Sequence, residues 1–324
     1  MSRPDSAAPR WPGQRPTQAT TGHTISRRGL LIAGGAGAAV LAASPLLVPG
    51  ISAAARRAGT PGLHGATLSK SAFPPNTTFS QAIKLWEGYT GTTIQTSKVY
   101  YERNHFPTTI DDRIAALLAN GIRGLLCFRP DFNPVSQGNL TRMEATLKLY
   151  KQAGLDAEVT IWQEPQVSKG HPSASRYIAA VAYYGPMIRQ YYPLVYDASG
   201  AAGPVGWTQY YPGDDQVDKV VVDYYGHHYA TGERIDAIAA IADSANPPKP
   251  FGIWEMGDRS SHVRVPTPAE MTAYFQYVQS LMAQRLANGR VNADVTWYNH
   301  GVSAIKGSSD FRVPLWQRLV STTS

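Results

Sequence analysis

The chain has 324 residues and a formal net charge of +7, but the basic excess is concentrated at one end. Residues 1–55 hold five arginines and one aspartate, and without them 25 basic side chains face 22 acidic ones, a balance of +3. No basic run and no interleaved basic and aromatic motif is present, so nothing points to a nucleic-acid partner. The single cysteine, Cys127, excludes an intramolecular disulfide and, lying in an apolar run, reads as a small buried hydrophobe.

In chain order, residues 1–24 are rich in Pro, Arg, Ser, Thr and Gln and show no apolar periodicity. Ser26-Arg27-Arg28-Gly29-Leu30-Leu31 then opens an Ala-, Gly- and Leu-rich run to about Val48, and Ala53-Ala54-Ala55 closes it. Basic, apolar, then small residues is the order of an export signal, and the adjacent arginines predict the twin-arginine route. The expected partner is the twin-arginine translocase during export, the expected location extracellular, with no stable membrane anchor. The competing reading is a transmembrane anchor, but the Ala and Gly content makes the run only mildly hydrophobic. Gly35-Ala36-Gly37 lacks a preceding strand and is not read as a dinucleotide fingerprint. Residues 56–324 then form one domain, near the usual length of an α/β barrel.

That domain alternates short β-like runs with longer helical ones. Strands are predicted at Leu63–Leu68, Lys98–Tyr101, Gly124–Phe128, Ala157–Trp162, Leu194–Tyr196, Val217–Tyr225, Pro250–Trp254 and Ala293–Tyr298. Helices are predicted at Thr77–Trp86, Ile110–Ala119, Leu140–Ala153, Ala174–Arg189, Ile235–Asp243, Pro268–Leu286 and Phe311–Val320. Continuous apolar strands such as Val220-Val221-Val222 suit a parallel sheet covered on both faces. The prediction is α/β, a single (β/α)8 barrel. A doubly wound open sheet is the runner-up, but no phosphate-binding glycine loop follows the first strand.

Active sites of such barrels lie at the C-terminal ends of the strands. Strand four ends Thr160-Ile161-Trp162-Gln163-Glu164-Pro165, and strand seven ends Phe251-Gly252-Ile253-Trp254-Glu255-Met256-Gly257. Two glutamates at facing strand ends are what a retaining glycosidase needs, one attacking the anomeric carbon and the other protonating the leaving oxygen. Their environments must hold one ionised and the other protonated. Alternation points Trp254 away from the barrel axis, where it reads as packing.

These motifs resemble the clan of retaining (β/α)8 glycoside hydrolases with acid/base on strand four and nucleophile on strand seven. Within it, Lys249-Pro250-Phe251-Gly252-Ile253-Trp254-Glu255 and Val222-Asp223-Tyr224-Tyr225 are most similar to the mannanase-like family 26 branch. The resemblance runs from about residue 62 to 321 and implies that Glu164 is the acid/base and Glu255 the nucleophile. It also implies that Tyr225 donates a hydrogen bond to Glu255 and that Trp297, ending strand eight, floors a sugar subsite. Where the clan has Asn, and family 26 His, before the acid/base, this chain has Gln163, which can still donate to a sugar hydroxyl.

Further cleft candidates are Arg129 after strand three, read as a sugar ligand or a partner of Glu255 or Asp131, and His227 after strand six. His227-His228 invites a metal reading, but adjacent residues rarely share one ion and no His-Glu-x-x-His run accompanies them. No metal and no cofactor are expected. His64, Lys70, Tyr100, Tyr101 and Glu102 are outer candidates without a decisive signal, and tyrosines such as Tyr210-Tyr211 suit a carbohydrate cleft or ordinary packing. The absence of a Gly-x-Ser-x-Gly elbow counts against a serine esterase. The function expected is hydrolysis of an extracellular polysaccharide or oligosaccharide. The alternatives are a non-catalytic glycan-binding barrel, which would not need both glutamates, and a metal-dependent barrel hydrolase.

Overall fold

A computed structural model of the chain describes residues 62–131, 135–167, 170–258 and 264–323. The export signal read in residues 1–55 lies outside them. Eight strands alternate with helices: β1 His64–Leu68, α1 Phe79–Thr90, β2 Thr96–Tyr100, α2 Asp112–Asn120, β3 Arg123–Phe128, α3 Gln137–Gln152, β4 Ala157–Ile161 and α4 Ala174–Ile188. The second half continues β5 Val195–Ser199, α5 Gly203–Tyr210, β6 Lys219–Asp223, α6 Gly226–Ala230, α7 Asp236–Ser244, β7 Phe251–Met256, α8 Pro268–Ala287, β8 Asn292–Asn299 and α9 Arg312–Thr323. The strands pair in parallel in the order β4-β3-β2-β1-β8-β7-β6-β5. One parallel bridge, Val159 with Leu194, joins β4 to β5 and closes the ring. The fold is a single (β/α)8 barrel. Among the described residues no helix is long and apolar enough to cross a membrane.

Local chemistry places the helix ends. Thr78 and Gln81 form a reciprocal capping box at the start of α1, as Thr267 and Glu270 do at α8, where Pro268 takes the first turn. Gly91 and Gly121 end α1 and α2 in the left-handed conformation that side chains resist. The sequence reading omitted α5, because its opening Gly203-Pro204-Val205-Gly206 carries the poorest helix formers.

Two apolar regions result from strand alternation. Outward residues such as Leu126, Val220 and Val222 join the large core against the helices. Inward Leu125, Val195, Val221, Trp254 and Ala293 form a separate layer across the barrel. A buried ion network lies towards the N-terminal strand ends. There Glu158 accepts from Lys219 and lies 3.2 Å from Arg123, itself 3.9 Å from Asp294. A second charged cluster lies on the other side of the apolar layer, towards the C-terminal strand ends.

Candidate active site

Lys98 is the centre of that second cluster. It is inward-facing on β2, and its Nζ lies 2.9 Å from Asp197 on β5, 3.0 Å from both oxygens of Asp223 on β6, and 3.1 Å from Glu255 Oε1 on β7. All four side chains are buried. Strand alternation alone does not bring Glu255 here. The register of β7 against β6 passes from Val222–Ile253 to Asp223–Glu255, so Trp254 is the extra residue of a bulge. Trp254 and Glu255 therefore both face the barrel interior. The indole joins the inner apolar layer with its ring 5.6 Å from Lys98 Nζ. This corrects the expectation that Trp254 points away from the axis: alternation holds only where pairing is regular.

Glu255 is fixed at both oxygens. Lys98 reaches Oε1, and the Tyr225 hydroxyl donates to Oε2. Burial pushes the Glu255 carboxyl up, while the charge and hydrogen bond of Lys98 pull it down. Tyr225 is in turn seated by His228, whose Nδ1 accepts from the Tyr225 N–H at 3.3 Å. Burial pushes His228 down to about 3, so it is a neutral acceptor at ordinary pH. His227 stacks on Tyr225 with ring centroids 5.9 Å apart and lies 3.9 Å from the His228 ring.

Glu164 follows β4 on an unusual backbone. Trp162 has φ of 60° and Glu164 φ of 46°, a left-handed conformation that costs a side-chain-bearing residue about 1 kcal/mol or more. The Glu164 N–H donates to the Asp197 carbonyl at 3.0 Å, which ties this turn to β5 across the barrel's closing seam. The carboxyl is half-buried. Burial pushes it up, opposed by a hydrogen bond from Ser199 and the positive charges of Lys98 and Arg129. Gln163 accepts from the thiol of Cys127 at 2.9 Å, and burial pushes that thiol up to about 12. Gln163 is thus supported from inside the barrel, directly before Glu164.

The other candidates divide. Arg129 does not pair with Asp131, which Arg103 and Asn104 hold, nor with Glu255. Its guanidinium lies 6.0 Å from the Trp162 ring, and its charge acts on Glu164. Tyr100 faces Lys98, its ring 5.3 Å from Nζ. Tyr101 instead packs on Phe128 and hydrogen-bonds Tyr150. Lys70 pairs with exposed Asp112, and Tyr210 and Tyr211 bond to Pro172 and Asp214.

Trp297 is displaced from its expected place. It is completely buried on the helix-facing side of β8, stacked on Phe275 of α8 at 5.6 Å and edge-on to Trp316 of α9 at 6.3 Å. Its indole N–H donates to the Ser303 carbonyl at 2.8 Å. It cannot floor a subsite there. Its neighbour Tyr298 is the β8 side chain at the site: half-buried, 6.0 Å from the Tyr225 ring, and within electrostatic reach of Glu255, Lys98, Asp223 and Glu164.

Lys98, Asp197 and Asp223 were not assigned to the site from sequence. The available signal was a charge inside an apolar strand, since such residues are rarely buried unless paired. Among the described residues, no group of three or more His, Cys, Asp or Glu is arranged to hold a metal ion.

No protein-family model matches the chain, and no curated protein matches it. Solved structures do share its fold. An endo-β-1,4-mannanase double mutant from Cellulomonas fimi superposes with a TM-score of 0.52 at 17% identity, over 82% of this chain and 71% of that one. GH26C from a Muricauda species gives a TM-score of 0.52 at 13% identity, over 82% of this chain and 86% of that one. At these identities the likeness is one of barrel architecture.

Proposed function

We propose that the chain is a secreted retaining glycoside hydrolase acting on an extracellular polysaccharide, exported by the twin-arginine route. One observation carries the reading: two glutamates at the same end of one barrel are unequally held. Burial raises both carboxyls, but Glu255 has the Lys98 ammonium 3.1 Å from one oxygen and accepts from the Tyr225 hydroxyl at the other, which favours its ionised form. Glu164 makes no ion pair among the described residues, and only Ser199 and the more distant charges of Lys98 and Arg129 oppose the rise.

In the first step a Glu255 oxygen attacks the anomeric carbon while the glycosidic oxygen leaves with the proton of Glu164. In the second, the Glu164 carboxylate takes a proton from water, the water oxygen attacks the same carbon, and Glu255 leaves as carboxylate. Tyr225 holds the attacking carboxylate, and Lys98 offsets its charge.

The relatives in fold suggest the first substrate to try: one is an endo-β-1,4-mannanase. The test is a panel of mannan, glucan and xylan with the mature protein beside Glu164→Gln and Glu255→Gln. Release by the parent that both variants lose supports the reading. No release from any glycan, or equal release by the variants, overturns it in favour of a glycan-binding barrel. The anomer first released, read by proton NMR, decides between retention and inversion. Detection of the mature protein outside the cell, lost on Arg27→Lys with Arg28→Lys, tests the export route.

A further inference from the structure

The cluster around Lys98 holds more potential negative charge than one ammonium can balance. Three carboxyl groups touch Nζ at 2.9 to 3.1 Å, so no two of the contacted oxygens are more than about 6 Å apart. Their side chains are 0 to 4% exposed, so water does not screen them. Like charges this close and this dry do not all ionise; one group keeps its proton.

The three carboxyls are not equally provided for. Glu255 has the ion-pair contact with Lys98 at Oε1 and a hydrogen bond from the Tyr225 hydroxyl at Oε2. Asp223 has only Lys98, which reaches both its oxygens. Asp197 has the ion-pair contact at Oδ2, and neither of its carboxyl oxygens receives a hydrogen bond. The remaining groups do not make up the deficit. From β3, the Cys127 thiol is neutral and Arg129 lies towards Glu164. After β4, Glu164 adds a further carboxyl. Tyr225 after β6 and Tyr298 on β8 are phenols that burial pushes up, and hence neutral. β1 carries no acidic or basic side chain except His64 at its N-terminal end.

We propose that Asp223 keeps its proton at neutral pH, which leaves Lys98 and Tyr225 to hold Glu255 as the ionised partner. Burial, followed by the neighbouring Asp197 charge, pushes Asp223 well above the usual carboxylate range, with Lys98 opposing. The two aspartates are positioning residues acting through Lys98. Should Asp223 lose its proton, a second uncompensated charge arises beside Glu255 and Glu164, and the division between nucleophile and acid narrows. The consequence for catalysis rests on the hydrolase reading; the proton itself does not.

The test is infrared spectroscopy of the folded protein at neutral pH, labelled with ¹³C-carboxyl aspartate or, separately, glutamate. The expected result is a protonated-carboxyl carbonyl band that moves with the aspartate label and disappears in Asp223→Asn. Absence of an aspartate-dependent band in the unsubstituted protein overturns the proposal without requiring any variant to fold. So does a band that survives in Asp223→Asn. A protein inactive on every glycan still gives this spectrum, so failure of the hydrolase reading and failure of the retained proton are separately visible.

Discussion

Lys98→Met removes the one buried cation of the site while keeping the length of the side chain. At 3.1 Å from Glu255, with an effective dielectric constant of about 20, the lost attraction is about 5 kcal/mol. Local relaxation absorbs part of this, so about half reaches Glu255. The sign follows from the direction of the effect: Lys98 lowers the Glu255 carboxyl, so its removal raises it and the ionised nucleophile is lost on the acid side. The acid limb of kcat/KM then moves up by about 2 pH units, and at a fixed pH below both limbs kcat/KM falls about 100-fold. The assay is a pH profile of hydrolysis on whichever glycan the parent cleaves. Stability supplies a second sign. With folded carboxyls raised above their unfolded values, the folded state binds more protons, so the variant's deficit grows as pH rises from about 5 to about 7. Breaking a buried ion pair costs about 3–5 kcal/mol at the neutral end. An unmoved acid limb, with loss uniform across pH, would refute the electrostatic argument and leave Lys98 a structural residue.

Tyr225→Phe removes one donor to the nucleophile, so kcat falls about 10- to 100-fold, the acid limb again moves up, and unfolding stability drops by about 1.5–3 kcal/mol, the worth of a hydrogen bond to a charged group. Trp297→Ala and Tyr298→Phe separate packing from the site. The first lowers stability by about 3–5 kcal/mol in denaturant unfolding, as truncation of a buried Trp does. The second leaves stability intact and raises KM, and the reverse pattern would return Trp297 to the cleft. His228, pushed down to about 3 from 6.5, contributes stability above 6.5 that is lost as pH falls through that window. His228→Asn keeps an acceptor for the Tyr225 N–H but does not titrate there, so the acid-side loss in thermal unfolding becomes shallower.

The barrel was legible because its strands are short apolar runs at regular spacing, and because each is followed by a helical pattern. Glu164 and Glu255 were recognisable from their positions at strand ends. What failed was the choice of face. Trp297 and Tyr298 differ by one residue, and a tryptophan looks the better sugar platform, yet β8 turns Trp297 to the helices and Tyr298 to the site. At Trp254 the period itself breaks, because the bulge sends two successive side chains inward, and no residue type announces a bulge. Lys98 and Asp197 were visible as charges among Val, Tyr and Ala, but the partners of Lys98 lie 99 and 125 positions away in Asp197 and Asp223. Only barrel closure brings them together.

The two charged ends of the barrel interior also bear on how the chain finds this arrangement. Shifting any strand by a single residue exchanges its inward and outward side chains. Such a slip in β2, β4 or β6 would carry Lys98, Glu158 or Lys219 into the apolar interface with the helices, where no counter-charge waits, and would leave the abandoned partners facing one another. Apolar strands alone tolerate neighbouring alignments. Strands that must also match charge with charge across an interior span, at two heights, admit one. The groups that put the catalytic end under electrostatic tension are thus among those that proofread the assembly of the barrel.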